Sequence, residues 1–157
     1  MPNSGYIWSV LEYCHILRRG YKLSREDVVE TTFPVRYAES DQMGFVHHSN
    51  YIVWMEEGRS QYMRQKGLGY EHVEKAGAFL AVTEVNVRYI AAACYGDLVT
   101  VRTWIEDLRS RTVTFGYEIV RADSRAALAT GTVKLVWIDR AGRVIRTPRP
   151  VSTLLQG

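Results

Sequence analysis

The sequence predicts an α+β domain, in which one long helix packs against a large antiparallel sheet. Three observations carry this. Residues 50–66 form a single helix-length segment closed by Gly67 and Gly69, and four long runs rich in Val, Ile, Thr, Trp and Tyr fill most of residues 79–139. The joints between those runs are too short for parallel crossovers, so neighbouring strands run antiparallel. A chain of 157 residues is read as one domain, long enough to bury a real core.

Residues 1–30 form an N-terminal extension ahead of a domain over 31–157. In "MPNSGYIWSVLEYCHILRRGYK", Ile7, Val10, Leu11, Cys14 and Leu17 fall on one helical face, which predicts an amphipathic helix over residues 6–19. The positive charges follow the apolar stretch, the reverse of a secretory signal. A start codon assigned too far upstream is the competing reading, with Met43 the next methionine or a non-Met start near residue 25.

"TTFPVRYAES" has a strand's composition as far as Tyr37, with Pro34 near its start, where a missing donor is tolerable. A loop over residues 39–48 follows. Ser49 or Asn50 offers an N-cap, and Tyr51, Met55, Gly58 and Tyr62 recur at helical spacing. The helix is apolar nearly all round in its first half and polar in its second, so the first half is expected to be buried and the second wet. Gly58 costs about 1 kcal/mol against Ala inside a helix, which predicts a second backbone passing close by. The strands are expected over 79–92, 97–107, 111–121 and 126–139. Leu80 and Val82 are out of phase with Val85, Val87 and Tyr89, which predicts a β-bulge near Thr83–Glu84.

Composition narrows the function. Hydrophobic residues make up 46% and charged residues 24%, an ordinary soluble balance, and the net charge of +3 is too mild for a dedicated nucleic-acid binder. Arginine outnumbers lysine 16 to 4, which suits phosphates and carboxylates, although a GC-rich genome gives the same skew. Cys14 and Cys94 lack C-x-x-C spacing, so neither a disulfide framework nor a zinc site is expected, and the reducing cytoplasm is the expected compartment. No apolar run reaches the length of a membrane span. Internal repeats, a Walker loop, G-x-S-x-G and a complete G-x-G-x-x-G are all missing.

The chemistry concentrates in "ESDQMGFVHHSNYIVWMEE". Asp41 stands seven residues before His48, Gly44 allows a sharp turn between them, and the helix starts directly after. The first N–H groups of a helix lack intrahelical partners and carry partial positive charge. An oxyanion forming there would be stabilised, and the loop can swing the Asp41 carboxylate beside it. A base or nucleophile next to an oxyanion hole is the minimum equipment for acyl transfer. The competing reading makes Asp41 a turn residue bonded to its own backbone. By itself His48 reads as a capping or packing residue and His47 as a solvent-facing one. Two adjacent histidines without a spaced third ligand make no metal site.

"VRYAESDQMGFVHHSNYIVWMEEGR" resembles the signature of the hot-dog-fold acyl-CoA thioesterases of the 4-hydroxybenzoyl-CoA thioesterase branch, which includes the bacterial thioesterases associated with the Tol–Pal system. The likeness extends in layout from about residue 31 to 147. It implies that Asp41 is the catalytic carboxylate and that the N–H at His48 faces the thioester oxygen, with the His48 side chain supporting the site. Gly44, Asn50 and Tyr51 of the motif become substrate-binding candidates. Glu56 and Glu57 rank behind Asp41, because the His-Gly-Gly start of the branch that uses a helix glutamate is missing. The resemblance further implies a homodimer or homotetramer with active sites between subunits. Coenzyme A is then substrate and leaving group, with no bound cofactor, and Arg88, Arg109 and Arg111 are candidates for its phosphates. An acyl-carrier-protein ester in place of the CoA ester, a hydratase or dehydratase on the same fold, and a non-catalytic acyl-CoA-binding module are the alternatives.

Overall fold

The computed structural model describes residues 27–156. The helix expected over residues 6–19, with Cys14, lies outside the described residues. Strand β1 (Val29–Pro34) leads through a loop to helix α1 (His48–Gln65) and a short α2 (Tyr70–Lys75). Strands β2 (Ala78–Tyr89), β3 (Leu98–Leu108), β4 (Thr112–Arg121) and β5 (Ala127–Asp139) follow, and α3 (Arg149–Gln156) comes last. The strands form one antiparallel sheet in the order β1-β3-β4-β5-β2, so β1 and β2 are its edges. A long helix laid on one such sheet is the hot-dog arrangement that the motif implied.

Period-two alternation builds the face under the helix. Val113, Phe115, Tyr117 and Ile119 of β4 and Val133, Leu135 and Trp137 of β5 are all buried, packing with Tyr51, Trp54, Met55, Tyr62 and Met63 of α1. The bulge falls where the phase slip placed it, with the register of β2 on β5 shifting between Val82 and Glu84.

Four expectations need correction. The buried residues of α1 run Tyr51, Trp54, Met55, Gly58, Arg59, Tyr62 and Met63, one face along the whole helix rather than its first half. Spacing decides which side meets the sheet, and Ile52 and Val53, although apolar, fall on the other side and are 39% and 49% exposed. Arg59 is buried in the half expected to be wet, and its Nε donates to the Tyr70 hydroxyl at 2.7 Å. Pro34 ends β1 rather than starting it; on an edge strand its missing N–H costs little there. β1 also takes in Val29 and Glu30, which the sequence reading put in the extension.

At Gly58 a close approach exists, but from side chains. A Cβ there would lie 2.5 Å from Thr103 Oγ1 and 2.7 Å from Val101 Cγ1, both on β3. The short helices α2 and α3 were not anticipated. Six and eight residues carry too few turns for a periodic signal.

Candidate active site

The loop between β1 and α1 is held by Glu39, a residue that the sequence reading passed over. Its carboxylate is buried and accepts from the Arg36 N–H at 2.7 Å, from Arg36 Nη2 at 2.9 Å and from Trp54 Nε1 at 3.0 Å. Burial opposes the charge, but these donors outweigh it and hold the carboxyl below its ordinary range. The Glu39 carbonyl accepts from the His47 N–H at 2.9 Å and from Asn50 Nδ2 at 2.9 Å. One residue thus ties the end of the strand path, the far side of the loop and the first turns of the helix. The sequence signal was the i,i+3 pair of Arg36 and Glu39 closing a short 3₁₀ turn over Tyr37–Glu39.

Residues 40–46 form a small closed turn on that base. Ser40 bridges to Val46 and Phe45 to Cys94, and the Asp41 N–H donates to the Phe45 carbonyl at 2.7 Å. Gly44 sits at φ +80°, so the turn requires its glycine. Asp41 Oδ1 accepts from the N–H groups of Met43 at 2.8 Å and Phe45 at 3.3 Å. Oδ2 accepts no hydrogen bond from any described residue. The turn reading and the chemical reading of Asp41 are therefore compatible, because the turn takes only one of the two oxygens.

The helix starts two residues earlier than expected. His47 is its N-cap, with Nδ1 accepting from the Ser49 N–H at 3.4 Å and lying 2.8 Å from Ser49 Oγ. Ser49 and Asn50, expected as caps, lie within the first turn. His48 is the first helical residue, and its N–H has no acceptor among the described residues. The next residue to touch this turn comes from the sheet. The Tyr89 hydroxyl donates to the His48 carbonyl at 2.9 Å, and the His48 ring stacks on His47 with centroids 4.1 Å apart. Both imidazoles are exposed.

The other candidates separate by position. Asn50 is engaged with Glu39, and the Tyr51 hydroxyl accepts from the Ala93 N–H at 2.9 Å with its ring 2% exposed. Both brace the loop within this chain, Tyr51 buried and Asn50 half-buried. Burial pushes the Tyr51 phenol up. Arg88 is exposed at the Tyr89 end of β2, the same end as the helix start. Arg109 and Arg111 flank the β3–β4 turn at the opposite end of the sheet, with Arg109 Nε bonded to Asp107 at 2.7 Å. Ten residues of β3 separate that turn from the Asp41 loop, roughly 30 Å of strand. Within one chain they do not reach Asp41. Glu56 and Glu57 lie exposed on the outer face of α1. No group of three or more potential metal ligands occurs among the described residues, and no helix there is long and apolar enough to cross a membrane.

The chain as a whole has known relatives. A profile of the thioesterase-like superfamily matches residues 35–155. The chain belongs to that superfamily. Its relatives there include the putative acyl-CoA thioesterase YneP of Bacillus subtilis, 45% identical over 85 residues. That match takes in 54% of this chain and 62% of YneP, less than two thirds of the relative's length. A putative esterase of Aquifex aeolicus is 30% identical over 122 residues, 78% of this chain and 93% of the relative. Among solved structures, the DHNA-CoA thioesterase from Staphylococcus aureus superposes with a TM-score of 0.76 at 32% identity, covering 82% of this chain and 87% of that one. The superfamily profile begins at Val35, so it takes in the whole of the loop and helix just described.

Proposed function

We propose that the chain is an acyl-CoA thioesterase, in which Asp41 delivers the attack on the thioester carbonyl and the start of α1 receives the oxyanion. The observation that carries this reading is the division of labour at Asp41. Oδ1 is fixed by two backbone N–H groups, while Oδ2 is left for chemistry on a turn that ends at an unpartnered helix N–H. A carbonyl oxygen placed against the His48 N–H is polarised by it and by the positive end of the helix. Water attacks the carbonyl carbon while Oδ2 takes its proton, or Oδ2 attacks first and water hydrolyses the resulting anhydride. In both routes the C–S bond breaks, the thiolate of coenzyme A leaves and is protonated, and the free acid results. CoA is substrate and leaving group, with no resident cofactor.

A second copy completes the enzyme. β2 is a twelve-residue edge strand exposing Val82, Val85 and Tyr89, and Ile52 and Val53 of α1 are exposed as well. An unpaired apolar edge of that length is an aggregation hazard unless it is covered, and a homodimer paired through β2 covers it.

Thiol release across a panel of acyl-CoAs tests the activity; binding without thiol release makes the chain a non-catalytic acyl-CoA-binding module instead. A single turnover in 18O-labelled water tests the second route. Label recovered in the Asp41 carboxylate establishes attack by Asp41 itself, with water opening the anhydride at the Asp41 carbonyl. Label in the product alone means that water attacked the acyl carbon.

A further inference from the structure

The connector between β2 and β3, residues 90–97, lies against the loop that carries Asp41. Ala93, fully buried, is its firmest contact there. The Ala93 carbonyl accepts from the Val46 N–H at 2.9 Å, and the Ala93 N–H donates to the Tyr51 hydroxyl at 2.9 Å. Both neighbours of Ala93 are gripped from the sheet. Arg121, whose backbone pairs with Val99 at the end of β4, donates from Nη2 to the Ala92 carbonyl at 3.2 Å. Its Nη1 pairs with Asp97 Oδ2, and that same oxygen accepts from the Cys94 N–H at 2.8 Å. The Asp97 carbonyl takes the Val35 N–H at 2.8 Å, which ties the connector to the chain entering the loop as well.

The grip reaches the carboxylate. Val46 follows Phe45, whose carbonyl accepts from the Asp41 N–H at 2.7 Å and whose N–H donates to Asp41 Oδ1 at 3.3 Å. Arg121 and Asp97 thus hold Ala93, Ala93 holds Val46, and the backbone between Val46 and Asp41 orients the carboxylate. The other side of Ala93 is pinned to α1 by the Tyr51 hydroxyl, and the buried face of α1 is held in turn by the core. A planar fork suits this work, because one guanidinium spans Asp97 and the Ala92 carbonyl. A fully exposed pair would contribute little. This one is mostly covered, with side chains 29% and 20% exposed, so salt and solvent screen it less.

We propose that Arg121 and Asp97 are positioning residues for the hydrolysis, orienting the Asp41 carboxylate through Ala93, Val46 and Phe45. This rests on the thioesterase reading given above, and two measurements separate the two. The first needs no catalysis. Amide hydrogen exchange is followed in the full chain for the wild type, Arg121→Ala and Asp97→Asn. The asparagine keeps an acceptor for the Cys94 N–H and weakens only the ion pair. Protection of the Phe45 and Val46 amides is expected to fall by about tenfold in both variants, with the amides of β4 and β5 unchanged. Unchanged protection at Phe45 and Val46 overturns the brace, and so does an equal loss throughout the sheet.

The second measurement is a double-mutant cycle on acyl-CoA hydrolysis, with kcat per folded molecule read for Arg121→Ala, Asp41→Asn and the double variant. A reacting group misplaced by about 1 Å costs up to about 10²-fold, so Arg121→Ala is expected to lower kcat by roughly 10- to 10²-fold with KM little changed. In the Asp41→Asn background the same substitution is expected to cost less than about twofold, because the group that it orients has already lost its chemistry. A loss of equal size in both backgrounds is independent of Asp41 and overturns the proposal. Wild-type kcat in Arg121→Ala overturns it too, as does a rise in KM that accounts for the whole effect. Should Asp41→Asn be as active as the wild type, the catalytic reading of Asp41 fails and takes the positioning role with it. The exchange result on the brace then stands on its own.

Discussion

Glu39 and Asp41 stand two residues apart and belong to different parts of the machine. Around Glu39 both carboxylate oxygens and the carbonyl are engaged by protein donors, from Arg36, Trp54, His47 and Asn50, and the residue is 5% exposed. Around Asp41 the turn uses one oxygen and leaves the other without a partner among the described residues, and the turn residues Met43 and Phe45 are exposed. The first carboxylate spends its charge on holding the loop, and the second keeps part of its charge available. A buried acid with all its oxygens engaged is a fastening; a half-engaged acid on a rigid turn is equipped to react.

The largest expected effect tests that division directly. Asn at position 41 retains an Oδ1 that accepts from Met43 and Phe45, so Asp41→Asn keeps the turn and loses only the chemistry. Its kcat should fall by about 10²–10⁴-fold with KM little changed and Tm at the wild-type value. If Tm falls instead and kcat per folded molecule survives, Asp41 is a second fastening and the contrast with Glu39 disappears.

Glu39→Ala should show the opposite signature. It strands the buried Trp54 Nε1 donor, while the exposed Arg36 guanidinium turns to water, at a cost of about 1–3 kcal/mol, read as a lower denaturant midpoint at constant m-value. A variant of wild-type stability would place Glu39 outside the framework.

Acid titration sharpens the same point. The Glu39 carboxyl lies below its ordinary value of 4.5 in the folded protein, so its contribution is complete above that value and is lost as pH falls through the folded one. Stability measured from neutral pH down to about 3 should decline less steeply in Glu39→Gln than in the wild type. Parallel curves would refute the assignment. The smallest effect is expected at His48. Its side chain is exposed and its proposed donor is backbone, so His48→Ala should change kcat by no more than about threefold, near the ±0.5 kcal/mol of a surface substitution. A loss as large as that of Asp41→Asn would move the imidazole into the chemistry.

Features that repeat were legible in the sequence. The strands of β3, β4 and β5 fall within one residue of their predicted limits, since alternation over ten or more residues leaves one register. The bulge in β2 showed as a break in that alternation. The motif likewise located the loop and the helix. What it did not give was the use of each side chain. Asn50 and Tyr51 stand in the motif but face Glu39 and Ala93, contacts 11 and 42 residues apart that no local pattern encodes. His47 replaced the expected Ser or Asn cap because the helix starts two residues earlier and its Nδ1 accepts from the Ser49 N–H, two positions into that helix. Arg59 read as polar surface, since burial of an arginine depends on hydroxyls delivered from elsewhere, here by Tyr70. The partition of Asp41 between its two oxygens is a matter of tenths of an ångström and is invisible to spacing.

Gly58 gives the long helix a fulcrum. With no Cβ it lets α1 rest on Val101 and Thr103 of β3, and His48 sits ten residues away, at the end of an arm of roughly 15 Å. A methyl group at this pivot must lift the beam, and the displacement is felt at the tip where the oxyanion would sit. Gly58→Ala should therefore reorder the preferred acyl groups, read as a changed ranking of kcat/KM across chain lengths; an unchanged ranking shows that the neighbouring side chains absorb the methyl locally. A changed ranking would make selectivity adjustable from a point ten residues along the helix from His48.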